Sequence, residues 1–301
     1  MPVKGLTFLL SSTMLLGSTA FAQSNDFLEL RLSTQHDDNI SRALLASDRY
    51  SDNQLSMALS GGRMMPLRSA DSLTLFGELG RRQFQHYDKL SSSTLTLGAS
   101  LQHKFGLGAY APVLSNSLSW TLDNSQTAVR ERQLLNWDLS LRKRLSVAWE
   151  VSAGIGYERS EGNKDGARYA SMYSPDNDIF DFEQGSLFVS ADYTFVNDSA
   201  LSASYTYVDG NTVSSALAPN PALLGISRAL TPDGAYPSAP WRTIVAYTLA
   251  SKAHLFALNW SLPLGQNSSV TAGYSRQQIN ARHGVDYSND SLSLTLLHIL
   301  K

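Results

Sequence analysis

From Phe27 onward the chain alternates, with an apolar residue followed by a small or polar one. The clearest case begins at Gly185. Leu187, Val189, Ala191, Tyr193 and Phe195 alternate with Ser186, Phe188, Ser190, Asp192 and Thr194. The polar run Val196-Asn197-Asp198-Ser199-Ala200 then reverses the chain. Leu201, Ala203, Tyr205 and Tyr207 follow, alternating with Ser202, Ser204, Thr206 and Val208 as far as Gly210. A period of two gives a strand one apolar and one polar face. Strands of about ten residues are long enough to cross a bilayer at a tilt. The stretch predicts a membrane-spanning hairpin.

Ten further apolar sets share the pattern. They are Leu28, Leu30 and Leu32; Leu55, Met57 and Leu59; Leu73, Leu75 and Leu79; Leu95, Leu97 and Leu101; and Leu114, Leu118 and Trp120. After these come Leu135, Trp137 and Leu139; Trp149, Val151 and Ile155; Phe256, Leu258 and Trp260; Val270, Ala272 and Tyr274; and Leu292, Leu294 and Leu296. The count of about twelve strands is even, as in single-chain bacterial barrels. Connections after every second strand are short, whereas 35–53, 159–184 and 209–241 are long. This lopsidedness predicts an all-β, antiparallel up-and-down transmembrane barrel with periplasmic turns, outer loops and both termini periplasmic. Phe105, Trp149 and Phe195 fall at the short-turn ends, and Trp137, Tyr157 and Tyr207 towards the other end. Rings that are partly wet and partly apolar favour those two levels.

Composition fits a barrel better than a membrane helix. Hydrophobic residues make up 43% and charged residues 17%, yet the mean hydropathy is -0.18. No run approaches the ~20 consecutive apolar residues of a spanning helix. A net charge of -2 gives no footprint for nucleic acid. With no cysteine there is neither a disulfide framework nor a lipid-anchor cysteine. Lys4, the apolar stretch 6–16 and Ala20-Phe21-Ala22 read as a cleaved signal peptide over 1–22, leaving 23–301 as the barrel domain.

Candidate chemistry lies on the polar parity and in the loops. The inward set carries Glu29, Arg31, Glu78, Arg82, Gln102, Lys104, Asp138, Arg142, Glu150 and Asp192. Such groups either pair into a filling or line a wet path. Arg82, Lys104, Arg142 and Arg144 suggest a basic stripe along one wall. His36 with Asp37 and Asp38, and His283 with Asp286, are the titratable groups of a rim hydrolase, although no nucleophile motif accompanies them. Asp176, Asp178, Asp181 and Glu183 form a weak candidate for a calcium site, lacking the glycine of an EF-hand loop. No motif calls for a cofactor. The loop 209–241, with Pro219, Pro221, Pro232, Pro237 and Pro240, is long enough to fold inward and constrict the lumen.

Three local sequences carry a resemblance. They are Asp37-Asp38-Asn39-Ile40-Ser41-Arg42-Ala43, Phe105-Gly106-Leu107-Gly108-Ala109-Tyr110-Ala111-Pro112, and Tyr205-x-Tyr207-x-Asp209-Gly210. Together they resemble a porin-like family of proteobacterial outer-membrane β-barrels with no assigned chemistry. The resemblance implies fold and location only. The chain departs from the usual aromatic C-terminus of such barrels, ending His298-Ile299-Leu300-Lys301. The expectation is an outer-membrane barrel serving as a narrow channel for small polar solutes or as a structural barrel. Its partners would be membrane lipid, lipopolysaccharide and the barrel-assembly machinery. A rim hydrolase, or a surface receptor or adhesin acting through the loops, are the alternatives.

Overall fold

The computed structural model describes residues 25–162, 179–217, 230–237 and 243–301. The stretch 1–22 read as a signal peptide, Asp176 and Asp178 lie outside them. The strands are β1 (Asp26–Asp37), β2 (Asp52–Pro66), β3 (Asp71–Phe84), β4 (Ser92–Lys104), β5 (Val113–Ser125), β6 (Arg132–Arg144) and β7 (Trp149–Gly162). They continue with β8 (Phe182–Thr194), β9 (Ala200–Leu217), β10 (Leu230–Pro232), β11 (Ile244–Pro263), β12 (Ser268–Ala281) and β13 (Val285–Ile299). All pairings are antiparallel, and β13 returns to β1, from Glu29↔Ile299 to Asp37↔Ser291. The three-residue β10 joins only β11, so the other twelve strands close the barrel.

Closure leaves no unpaired edge, which lets a barrel satisfy its backbone in lipid. The outward face is the apolar parity: Leu55, Leu187 and Leu292 are 61%, 56% and 60% exposed. Trp149, Tyr193 and Phe195 form an aromatic group at the short-turn end, with ring centres 5.0 and 4.7 Å apart.

The inward face is mostly Ser, Thr and Gly. Its hydroxyls bond across strand seams: Ser100 to Ser117 at 2.8 Å, Ser152 to Ser190 at 2.7 Å, Ser275 to Ser291 at 2.7 Å and Thr96 to Thr121 at 2.9 Å. Three of the phenylalanines on this inward parity stand directly opposite a glycine: Phe27↔Gly62, Phe76↔Gly98 and Phe188↔Gly154. A Cβ on Gly98 would lie 2.3 Å from the Phe76 ring, and one on Gly154 2.6 Å from that of Phe188. The glycines therefore let the rings lie flat against the wall. The alternation rule alone does not anticipate these phenylalanines.

Several boundaries differ from the sequence reading, because β pairing continues beyond the clean alternation. The connection expected at 35–53 is shorter, with β1 ending at Asp37 and β2 starting at Asp52. The loop expected at 159–184 begins only after Gly162 and ends before Phe182. The largest correction concerns 209–241. Its first nine residues complete β9, and β11 begins at Ile244, well before the Phe256 set. The β11 part, 244–249, is buried and largely apolar on both faces, and the β9 part is largely small and polar on both, so neither shows the period of two.

Candidate functional site

The extra length of β9 and β11 leaves the wall. Pairing of β8 with β9 reaches Gly185↔Asp209, and that of β11 with β12 begins at Ser251↔Ala281. Beyond this level β9 and β11 pair only with one another and with β10, from Gly210↔Ser251 to Leu217↔Ile244. At the departure point the inner faces pinch together. A Cβ on Gly210 would sit 2.3 Å from Gln184 Cβ and 2.9 Å from its Cα. Glycine is required there by close approach of the neighbouring strand.

The two-stranded ribbon turns inward across the mouth. The backbone N–H of Ser215 donates to the Ser41 carbonyl (2.8 Å), and that of Leu217 to the Asp48 carboxylate (3.2 Å). Ser41 and Asp48 belong to the β1–β2 connection, four strands round the barrel. One face of the ribbon, with Ala216, Val245, Tyr247 and Leu249, packs on Ile279, Val285 and Tyr287 of the wall. The other face, Val213 and Ala246, packs on Ile179, Phe180 and Phe182, and Thr248 Oγ1 donates to the Ile179 carbonyl at 2.6 Å. A strand facing lipid would expose one face; here residues 244–249 are buried on both.

A third cluster seals the tip. Ile40, Phe84, Leu90, Ala235, Tyr236 and Ile244 pack together with Tyr50, Tyr87 and Leu217. The rings of Tyr50, Tyr87 and Tyr236 form a triangle with centroid separations of 5.4, 5.1 and 5.4 Å. Tyr236 Oη donates to the Ile40 carbonyl at 3.0 Å. At the centre the Asp233 carboxylate accepts hydrogen bonds from Arg130 Nη2 and Nε, from Ser215 Oγ (2.6 Å) and from the Ala235 N–H (3.1 Å). Both ionic side chains are fully buried. Arg130 also lies near the faces of Phe180 and Tyr236, at 6.0 and 5.8 Å. Burial alone would raise the Asp233 carboxyl, but the Arg130 charge and the bonds from Arg130 and Ser215 hold it below its ordinary value of 3.8.

Below the ribbon, Glu29, Arg31, Glu78, Arg82, Gln102, Lys104, Asp138, Arg142, Glu150 and Asp192 all occupy the inward parity of their strands. They are spread along the lumen and do not meet in one cluster. Arg142 and Arg144 both approach Glu150, each at 3.8 Å, and Asp192 stands opposite Glu150 in register. Arg132 pairs with Asp123 at 3.7 Å, and Glu158 accepts from Gln184 Nε2 at 2.9 Å. The loop acids take structural partners: Asp181 accepts from the Gly162 N–H at 2.7 Å, and Arg159 reaches Glu183 at 3.9 Å.

The rim grouping of His36 and Asp37 does not assemble. Successive residues of a strand point to opposite faces. His36 lies outward, bonded to Asn53 at 2.9 Å, while Asp37 lies inward and pairs with Arg42 at 3.1 Å. Asp38 accepts from the Asp290 N–H at 2.8 Å, and Asp286 lies on the outward parity of β13. His36 and Asp37 are thus divided by the wall itself.

Sequence reasoning missed the latch, Arg130 with Asp233, and the aromatic seal. One signal was available: Ile40, Tyr50, Tyr87, Leu90 and Tyr236 are apolar or aromatic residues in long-loop-end connections, where solvated loops are usually polar.

No protein-family model matches the sequence, and no curated protein matches it. Among solved structures, an outer-membrane channel of Pseudomonas putida F1 matches with a TM-score of 0.59. The match covers 94% of this chain and 98% of that one at 12% identity. The NanC porin matches at 0.45, with 8% identity over 90% and 98% of the two chains. The DcaP channel of Acinetobacter baumannii matches at 0.44, with 10% identity over 92% and 96%. The first likeness shows the fold, a β-barrel of the outer-membrane kind.

Proposed function

We propose that this protein is an outer-membrane channel for small polar solutes, closed at its outer mouth by the β9–β11 ribbon. The observation that carries this reading is a hydroxyl-lined inner wall beneath a mouth sealed by the chain's own strands. A purely structural barrel has no need to keep bulky rings flat against the wall over glycines. The lopsided connections support periplasmic termini and an outward-facing ribbon. The P. putida channel, similar in fold, lends the reading further support.

Opening consists of lifting the ribbon off the Arg130, Tyr50 and Tyr87 side of the mouth. The test is single-channel recording of the refolded mature protein in a planar bilayer, alongside Asp233→Asn. Discrete steps that become more frequent in Asp233→Asn are expected. No steps from either barrel, with folding verified by heat-modifiable gel mobility, would overturn the channel reading.

A further inference from the structure

Not every cation of the inner wall meets an acid among the described residues. Arg130 is engaged by Asp233 and Arg132 by Asp123, while Arg142 and Arg144 share Glu150. Arg82 has no hydrogen bond and no ion pair among the described residues, though it is partly buried on the inward face of β3, two residues before its end. The next acid on that face of its strand, Glu78, lies four residues back, about 13 Å along a strand.

Two neighbours define what Arg82 faces. Ser92 stands directly opposite in register, is fully buried, and its hydroxyl has no hydrogen-bond partner among the described residues. Arg132, at the start of β6 three strands round the same wall, adds a second positive charge that repels that of Arg82. Ser56, on the other side of Arg82, already accepts from Gln54 Nε2 at 2.9 Å. A guanidinium fork and an idle O–H donor stand opposite each other in register, within the electrostatic reach of a second positive charge. A planar or tetrahedral oxyanion answers all three.

We propose that Arg82 and Ser92 form an oxyanion-binding site in the lumen beneath the ribbon, and that the solutes of this channel carry a carboxylate or phosphate group. The Arg82 fork takes two oxygens of the anion, Ser92 donates to one of them, and Arg132 supplies long-range attraction. As a statement about transport the proposal rests on the channel reading; as a statement about binding it does not.

The test uses two readouts on the full mature protein. In detergent, calorimetric titration with acetate and with inorganic phosphate is run on wild type, Arg82→Gln, Arg82→Lys and Ser92→Ala, with Asp233→Asn as the ribbon-released background. We expect one or both anions to bind and Arg82→Gln to weaken binding roughly 10- to 100-fold. Arg82→Lys should lie between, and glucose should not bind. Preference for acetate or phosphate then identifies the solute's acid group. Equal affinity in Arg82→Gln, or no binding of either anion to folded Asp233→Asn, overturns the site. In bilayers under a potassium chloride gradient, the reversal potential should favour anions in Asp233→Asn and shift towards cations when Arg82→Gln is added; an unchanged potential also overturns the proposal. Binding without conductance would refute the channel reading and leave the site standing. Conductance without binding would do the reverse.

Discussion

Replacing Asp233 by asparagine tests the closed mouth at its most buried point. The substitution keeps the shape but removes the charge, leaving the Arg130 guanidinium buried and fully enclosed without its counter-ion. Breaking a buried ion pair from one side costs about 3–5 kcal/mol. When the ribbon lifts, Arg130 meets water, so nearly all of that cost falls on the closed state. At about 1.4 kcal/mol per factor of ten, closure weakens by roughly a hundred- to a few-thousand-fold. The wall should not notice, because Ala128–Arg130 and Asp233 lie outside the closing ladders. The assay is open probability in a bilayer, paired with hydrogen exchange of the 211–217 and 244–250 amides. Both should rise sharply while heat-modifiable mobility stays native. A double variant, Arg130→Met with Asp233→Leu, should close again, since an apolar pair of similar volume often matches a buried ion pair. Unchanged open probability and exchange in folded Asp233→Asn would refute the latch.

Other expectations follow from neighbouring features. Asp233 is held below 3.8 in the closed state, so its stabilising effect is complete above that pH and is lost as pH falls through the depressed value. Open probability should therefore stay flat from neutrality down to about pH 4 and rise only below it; a rise centred near pH 6 would implicate another group. Gly210→Val forces the ribbon away from Gln184 and should raise conductance, and a silent Val variant would contradict the pinched geometry. Gly98→Leu should push the Phe76 ring into the lumen and lower unitary conductance in the Asp233→Asn background; equal conductance would show that the ring does not border the path. Leu187→Arg puts a charge on the exposed apolar face at mid-strand. It should cost about 2–4 kcal/mol in a urea titration in lipid vesicles, and an unshifted midpoint would argue against lipid contact there.

The barrel was legible in the sequence because every wall strand must answer to two solvents, and a period of two records that demand residue by residue. Leu187 through Phe195 announce their face without help from the rest of the chain. The ribbon escaped because Ile244 to Leu249 answer to none: both faces are buried, so the alternation disappears and a strand looks like an irregular loop. The latch escaped for a different reason. Arg130 and Asp233 stand 103 positions apart, and nothing local distinguishes either from a solvated loop charge. Parity assigns all ten lumen candidates to one face of their strands, yet parity is silent on reach. Arg142 meets Glu150, whereas Arg82 has no ion pair among the described residues.

The hydroxyl pairs along the seams bear on how fast a solute moves, apart from which solute enters. In Ser152–Ser190 or Ser275–Ser291 one proton is already committed to the neighbouring strand. Each pair thus shows the lumen about half the free donors that two isolated serines would. An anion gliding along such a surface finds little to hold it and dwells only where a guanidinium waits. In the proposed channel, transit time would then concentrate at the cations of the bore, Arg82 among them, and the hydroxyl-paired stretches would act as a low-friction corridor whose length hardly matters to the rate.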